Sequence, residues 1–421
     1  MRPRAVSPGG HRGGVRIAIV AESFLPLMNG VTHSILRVLE HLEAQGHDVL
    51  VIAPSTHAVA DAVAEFAGTS EVVHGAKVHR VPAVPLAGYT NVRVAMGGVY
   101  RVKRILADYA PDVVHLASPF ILGWRAVQAA HQLRIPTVAI YQTEVPSYAA
   151  RYGVPFLENW AWNRVENIHL LATRTLVPST FALNQLRGRG IPRVGMWRRG
   201  VDTARFSPEK RDAGWRASVA PGGERIIGYV GRLAVEKQVE DLAALSRVPN
   251  SKLVIVGDGP QRAALQAALP GAVFTGFLCG EELAKAVASF DLFVHPGEFE
   301  TFCQTIQEAM ASGVPVVATG RGGPLDLVEN SRTGWLYQPG DLAGFRAHVM
   351  DLMGDDAKRR AFATAAHASV QDRTWPALCA ELVEQYRSVI TGEPAPKPVR
   401  PEPSPVFPAV GPVETKKGVS L

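Results

Sequence analysis

Short apolar runs recur along this chain, separated by stretches in which apolar residues return every three or four positions. Arg16–Ala21 (RIAIVA) reads as a buried strand. A loop holding Pro26, Asn29 and Gly30 leads into Thr32–Gln45, where Ile35, Leu36, Leu39 and Leu42 fall at helical spacing and Gly46 closes the helix. Val49–Ala53 (VLVIA) is a second strand, so a β-α-β unit with a right-handed crossover is expected. Val113–Leu116, Thr137–Ile140 and Thr175–Val177 add further strands. The alternation restarts at Arg225–Gly231 (RIIGYVG) and continues through Leu253–Gly257, Ala272–Gly276, Asp291–His295 and Pro315–Ala318. Helical patterns at Glu240–Ser246, Gly259–Ala268, Glu281–Ser289 and Phe302–Ser312 separate these runs. The pattern predicts an α/β chain of two consecutive doubly wound, Rossmann-like domains. Their join falls in Gly200–Ala220, which is polar and holds Pro208 and Gly214. A last helix, Ala377–Ile390, carries Leu378, Leu382 and Tyr386 on one side.

Composition agrees with this reading. The chain has 421 residues, 47% hydrophobic and 19% charged, enough apolar material for two cores. The predicted boundaries are 15–205 for the first domain, joined by the helix at 375–391, and 206–374 for the second. Residues 1–14 are basic and glycine-rich without the apolar core of a signal peptide. Residues 392–421 hold eight prolines, so both ends are expected to be disordered. Lys and Arg total 44 against 38 Asp and Glu, a net charge of +6. That excess suits an anionic substrate or membrane surface and is too diffuse for nucleic acid. Cys279, Cys303 and Cys379 are far apart and form no Cys-x-x-Cys, which argues against a disulfide framework or a zinc knuckle and for a reducing cytoplasm. No apolar run reaches the ~18 residues of a membrane span, so a lipid substrate would be met from the membrane surface.

Several nucleotide and hydrolase signatures are missing. No lysine directly follows a glycine, which excludes a Walker A loop. The first strand is not followed by Gly-x-Gly-x-x-Gly, and Gly257-Asp258-Gly259 runs into Pro260 as a strand-to-helix turn. Neither His-Glu-x-x-His nor Gly-x-Ser-x-Gly occurs.

The chemistry concentrates in Phe293–Ala318 (FVHPGEFETFCQTIQEAMASGVPVVA). Here a strand ends near Pro296 and a helix begins around Thr301–Phe302. Ligands of such sheets sit beyond the carboxyl ends of the strands, where the first amides of a helix favour negative charge, and a diphosphate fits there. Glu300 stands at the mouth of the helix and Glu308 about two turns further in. Each carboxylate can accept two hydrogen bonds and so grip vicinal hydroxyls, one on a sugar and one on a ribose. Either glutamate taken alone reads more simply as a cap or a solvated side chain.

Glu300-x7-Glu308, with Glu308 opening Glu-Ala-Met-Ala-Ser-Gly-Val-Pro-Val-Val, resembles the signature of family 4 glycosyltransferases. Gly231-Arg232-Leu233 with Glu236-Lys237, Gly257-Asp258-Gly259-Pro260, and Gly200-Val201-Asp202 with Phe206 and Pro208 resemble companion motifs in the same order. Together they span about residues 15–390. The closer resemblance is to bacterial mannosyltransferases that use GDP-mannose to extend envelope glycolipids. It lies in Glu22–Pro26 with Asn29-Gly30-Val31, in Trp197–Asp202 and in Gly297–Thr305. Sulfoquinovosyl-lipid synthases share much of the pattern.

The resemblance implies a GT-B fold, two Rossmann-like domains facing a cleft with a C-terminal helix crossing back. It also implies a retaining reaction without a protein nucleophile. The N-terminal domain would present the acceptor, a glucuronosyl diacylglycerol or phosphatidylinositol type of glycolipid at the inner face of the cytoplasmic membrane. The C-terminal domain would hold the donor. Arg232 and Lys237 would bind the diphosphate and neutralise the leaving group, with no metal or other cofactor required. Glu300 would hold the donor sugar and Glu308 the ribose. Gly30 and Gly259 would let backbone approach the donor, and the amides of Phe302, Cys303 and Gln304 would complete its site. Gln142 stands where many relatives carry a histidine; it can position a sugar but cannot titrate. Cys303 replaces a common glycine. His115, just after the start of a strand, reads as structural. Arg101, Lys103 and Arg104 in Tyr100–Leu106 form a basic stripe that suits an anionic membrane or a plain solvated face. Readings from other classes are a UDP-sugar-dependent sulfoquinovosyl- or glucosyltransferase, a sugar-nucleotide epimerase, and a sugar-nucleotide-binding protein without turnover.

Overall fold

The computed structural model describes residues 14–55, 71–86, 89–143 and 156–394. The predicted disordered ends lie outside these residues except for Gly14 and 392–394. The chain divides into two units. Among the described residues, unit 1 comprises 14–178, 185–199 and 375–394, and unit 2 comprises 179–184 and 200–374.

Unit 1 is built on an eight-stranded sheet. Its strands are β1 (Arg16–Ala21), β2 (Asp48–Pro54), β3 (Glu71–Val73), β4 (Ala76–Val81), β7 (Val113–Ala117), β8 (Thr137–Ile140), β9 (Arg174–Val177) and β10 (Val194–Met196). A separate hairpin pairs β5 (Ala83–Leu86) with β6 (Tyr89–Ala95). The sheet order is β10-β9-β8-β7-β1-β2-β4-β3. All neighbours are parallel except β3, which runs antiparallel to β4. Alternate side chains of each strand enter opposite layers. Ile17 and Ile19 pack with Ile35, Leu39 and Leu42 of the helix Gly30–Ala44 and with Leu382 and Tyr386 of the helix Trp375–Thr391. Ala18 and Val20 pack on the other side with Val102, Leu106, Ala126 and Ala130. Each fully buried aliphatic side chain contributes about 1.5–3 kcal/mol, so the two layers hold the sheet from both faces. Asn29 starts the first helix, accepting hydrogen bonds from the amides of Val31 at 3.0 Å and Thr32 at 2.9 Å.

Unit 2 repeats the plan with β11 (Arg225–Val230), β12 (Ser251–Val256), β13 (Val273–Gly276), β14 (Leu292–His295), β15 (Val316–Thr319) and β16 (Gly334–Tyr337). The order is β13-β12-β11-β14-β15-β16, parallel throughout. Ile226, Val254 and Phe293 face Ile306 and Met310 on one side; Ile227, Ile255 and Val294 face Phe345, Val349 and Leu352 on the other.

In each unit the strand order reverses beside the first strand, between β1 and β7 in unit 1 and between β11 and β14 in unit 2. In an open α/β sheet the ligand crevice lies at such a switch point, outside the carboxyl ends of the strands. Three predicted helices differ from the structure. Val239–Leu245 is a 3₁₀ helix, entered from Gln238 in the left-handed region at φ 51. The helix expected from Gly259 begins at Arg262. The one expected from Phe302 begins at Gln304, because Cys303 ahead of it has φ 73 and ψ 75.

Candidate active site

The crevice of unit 2 gathers most of the side chains singled out in the sequence. β11 ends at Val230 and releases Gly231-Arg232-Leu233, followed by a single 3₁₀ turn, Val235–Lys237. β14 ends at His295 and releases Pro296–Cys303 ahead of the helix Gln304–Ala311. The two loops meet through Lys237 and Glu300, with Nζ 2.6 Å from Oε1. A second contact joins Gln238 and Glu298: Gln238 Nε2 donates to Oε1 at 3.1 Å, and the Glu298 amide donates to Gln238 Oε1 at 2.8 Å.

His295 completes this cluster and escaped the sequence reading. Its Nε2 lies 3.3 Å from Glu300 Oε1, an ion-pair distance. Its ring stacks on Tyr229 with centroids 6.0 Å apart and planes inclined by 12°. Burial alone would raise the Glu300 pKa, but Lys237 and His295 outweigh it and bring it down to about 2. Burial alone would lower His295; Cys303 and Glu300 outweigh that and raise it to about 9. The site thus holds a carboxylate whose Oε1 is shared by two basic groups. His295, Glu300 and Cys303 also place three ligand-type atoms within 4.8 Å of one another. The Lys237 ammonium already sits on one oxygen of the Glu300 carboxylate, Oε1.

The other predicted residues fall around this pair. Arg232 is 57% exposed and reaches Glu236 at 3.8 Å, so most of its guanidinium faces solvent. Glu308 is buried in the helix that follows Cys303. Phe302 and Cys303 are buried, and Gln304 Nε2 donates to the Gly200 carbonyl at 3.0 Å. Gly259 has a packing reason of its own: a Cβ there would stand 2.3 Å from the Leu233 carbonyl oxygen, so the glycine turn lies directly on the Arg232 loop. The loop after β15 was also missed. The Gly323 amide donates to the Glu300 carbonyl at 2.6 Å, and Arg321 pairs with Glu298 at 3.3 Å.

Gly30 and Gln142 belong to unit 1. Gly30 is the first residue of its helix, and a Cβ there would meet Arg199 Nη1 at 3.1 Å. Gln142, just beyond β8, is buried and accepts a hydrogen bond from Arg199 Nη2 at 2.6 Å. Arg199 therefore links the two, a connection across 57 residues of sequence between it and Gln142. His115 is a core residue: its Nδ1 bonds the Tyr386 hydroxyl and burial pushes its pKa down to about 3. Arg101 and Arg104 lie on the exposed side of the helix Val99–Tyr109, opposite buried Val102 and Leu106; Lys103 Nζ donates to Gln132 at 3.0 Å.

Residues 28–205 match the family described as Glycosyltransferase Family 4, and residues 224–355 match Glycosyl transferases group 1. A protein of Mycobacterium tuberculosis named GDP-mannose-dependent alpha-mannosyltransferase is 48% identical over 89% of this chain and 97% of its own. The sulfoquinovosyl transferase of Arabidopsis thaliana is 31% identical over 89% of this chain and 74% of its own. Among solved structures, sucrose-phosphate synthase from Thermosynechococcus elongatus superposes with a TM-score of 0.75 at 21% identity, over 90% of this chain and all of that one. These matches, on a fold of two Rossmann-like units, make the protein a glycosyltransferase of the GT-B class. Within that class, the chain belongs to glycosyltransferase family 4.

Proposed function

We propose that this enzyme transfers mannose from GDP-mannose to a membrane glycolipid acceptor of glucuronosyl diacylglycerol or phosphatidylinositol type, with retention at the anomeric carbon, as a step in building a lipomannan-like glycolipid. The observation that carries the reading is the Lys237–Glu300 pair at the crevice of unit 2. A sugar diphosphate offers the partners this pair suits: anionic phosphates for the lysine and hydroxyl donors for the carboxylate. The 48% identity to a mannosyltransferase supports the choice of sugar and base.

Arg232, exposed to solvent, and Lys237 balance charge on the diphosphate as the glycosidic bond breaks, which is where a cation lowers the barrier most. Lys237 and His295 favour the ionised form of Glu300, which accepts hydrogen bonds from the sugar hydroxyls. Glu308 accepts from the ribose, and the amides of Phe302, Cys303 and Gln304 point toward the phosphate at a helix start. Gly259 keeps the Arg232 loop close packed. For unit 1 the proposal is that it presents the acceptor, that Gln142, held by Arg199, positions a sugar hydroxyl, and that Gly30 leaves backbone open to a phosphate. Two protein cations and a helix start make a metal unnecessary for donor binding. The helix Val99–Tyr109 lays Arg101 and Arg104, with Lys103 at its side, against the anionic inner face of the cytoplasmic membrane.

The test is a donor panel. The protein is incubated with a bacterial membrane-lipid extract and radiolabelled GDP-mannose, UDP-glucose or UDP-sulfoquinovose, and label entering the lipid phase is counted. Transfer from GDP-mannose is expected. Transfer from a UDP-sugar alone would replace the mannose assignment by the sulfoquinovosyl- or glucosyltransferase reading, which the 31% identity to the plant enzyme favours.

A further inference from the structure

Unit 1 has a switch point of its own, between β1 and β7, and the side chains around it differ in kind from those of unit 2. Glu22 is the first residue after β1. Its Oε1 accepts hydrogen bonds from the amides of Phe120 at 2.7 Å and Gly123 at 2.8 Å, in the loop and helix that follow β7. The positive end of the helix Leu122–Leu133 is therefore already satisfied by a carboxylate from the chain itself. An anion entering this crevice needs another partner.

Arg164 supplies one. The Phe120 ring meets Trp160 edge-on with centroids 5.5 Å apart and planes at 88°. The Arg164 guanidinium lies over Trp124 at 4.9 Å and near Trp160 at 5.6 Å. Among the described residues Arg164 has no hydrogen-bonded or ion-paired acceptor; its contacts are the two indoles. Burial and the neighbouring charge of Arg125 both weigh against its positive form, with Glu22 acting the other way. Arg125 itself spends Nη1 on the Ala95 carbonyl at 2.6 Å. A guanidinium set over aromatic rings, with no acceptor among the described residues and a second arginine in its field, is arranged to take a carboxylate or phosphate. Trp160 remains 46% exposed beside it, an apolar face on which a pyranose or inositol ring can stack.

We propose that this crevice, lined by Glu22, Phe120, Trp124, Trp160 and Arg164, is the acceptor subsite, and that it takes a sugar or polyol ring bearing one anionic group. The inference rests on the glycolipid-directed transfer proposed above and names the part of the acceptor that the protein recognises. Arg164 binds the anion, Trp160 stacks the ring, and Glu22 accepts from a ring hydroxyl. A uronosyl carboxylate and a phosphodiester share this chemistry.

Two readouts test it. The first is the KM for acceptor in detergent micelles, with glucuronosyl diacylglycerol, phosphatidylinositol or uncharged monoglucosyl diacylglycerol as acceptor. Loss of a charge-assisted hydrogen bond in Arg164→Gln is expected to raise the KM for the anionic acceptor about tenfold. The KM for the uncharged acceptor and for GDP-mannose stays unchanged, and Arg164→Lys recovers part of the loss. The anionic lipid that responds identifies the group. An unchanged acceptor KM, or an equal rise with the uncharged lipid, overturns the subsite and leaves the transfer reaction standing. The second readout needs no turnover: quenching of tryptophan fluorescence by glucuronic acid or inositol 1-phosphate. Quenching in the wild type that is lost in Arg164→Gln supports the subsite even if no donor proves active, in which case the transfer reading fails alone. No quenching and no transfer overturns both. If Arg164→Gln does not fold, Trp160→Ala takes its place. It is expected to raise the KM for charged and uncharged acceptors together, and an unchanged KM overturns the stacking role.

Discussion

At Glu300, burial and charge pull in opposite directions. Removing a carboxylate from water favours its neutral form, while Lys237 at 2.6 Å and His295 at 3.3 Å favour the ion, and the cations prevail. The same balance makes the folded state sensitive to pH. The folded pKa of His295 is raised from 6.5 to about 9, so stability from its charge is complete below about pH 6.5 and fades as pH rises through about 9. For Glu300 the folded value is depressed from 4.5 to about 2; its contribution is present above about pH 4.5 and is lost as pH falls through about 2. The groups facing His295 are Glu300, Cys303 and Tyr229, with Lys237 on the same carboxylate oxygen, Oε1. The melting temperature of the wild type relative to His295→Asn is therefore expected to narrow steadily between pH 6.5 and 9 in scanning calorimetry. A difference that stays flat over that range would mean a neutral His295.

At the level of elements, the crevice of unit 2 depends on loops that touch through backbone. Gly323 donates to the Glu300 carbonyl, and a Cβ on Gly323 would lie 2.3 Å from the Phe302 carbonyl oxygen. Gly323→Ala must push the two loops apart, at the ~1–3 kcal/mol typical of overpacking. Urea denaturation should show that loss and kinetics a raised donor KM. Full stability with an unchanged KM would detach the β15 loop from the site. This loop also marks where sequence reading stops. Strands buried on both faces produce continuous apolar runs, so β1, β2, β7, β8, β9, β11, β12, β14 and β15 are legible in the chain. β3, which is exposed at a sheet edge, and the β5–β6 hairpin give no such run. The start of the helix at Gln304 is displaced by two residues from its apolar pattern, because nothing in the identity of Cys303 announces φ 73. Lys237 and Glu300 were legible as candidates through their motifs. His295, the Gln238–Glu298 contact and the Arg199–Gln142 bond were not, because each depends on long-range packing or on the direction a side chain takes after a strand.

Across the whole molecule, the net charge of +6 and the placement of Arg101 and Arg104 on one exposed helix side bear on how the proposed lipid acceptor would be reached. Among the described residues no helix is long and apolar enough to cross a membrane. The Arg104–Asp108 pair, 3.9 Å apart and open to solvent, contributes little to stability and leaves Arg104 available to another anion. Each arginine near an anionic surface is worth about 1 kcal/mol, so the Arg101→Ala/Arg104→Ala variant is expected to bind phosphatidylglycerol vesicles about thirtyfold more weakly in sedimentation. Equal binding would assign the helix to solvent. The donor cradle is tested most directly by calorimetric titration of GDP-mannose into the wild type, Lys237→Ala and Glu308→Ala. Each variant loses a charged hydrogen-bonding partner, so binding about tenfold to a hundredfold weaker is expected, with GDP alone weakened alongside. GDP-mannose binding both variants as tightly as the wild type would contradict a donor site built from these side chains.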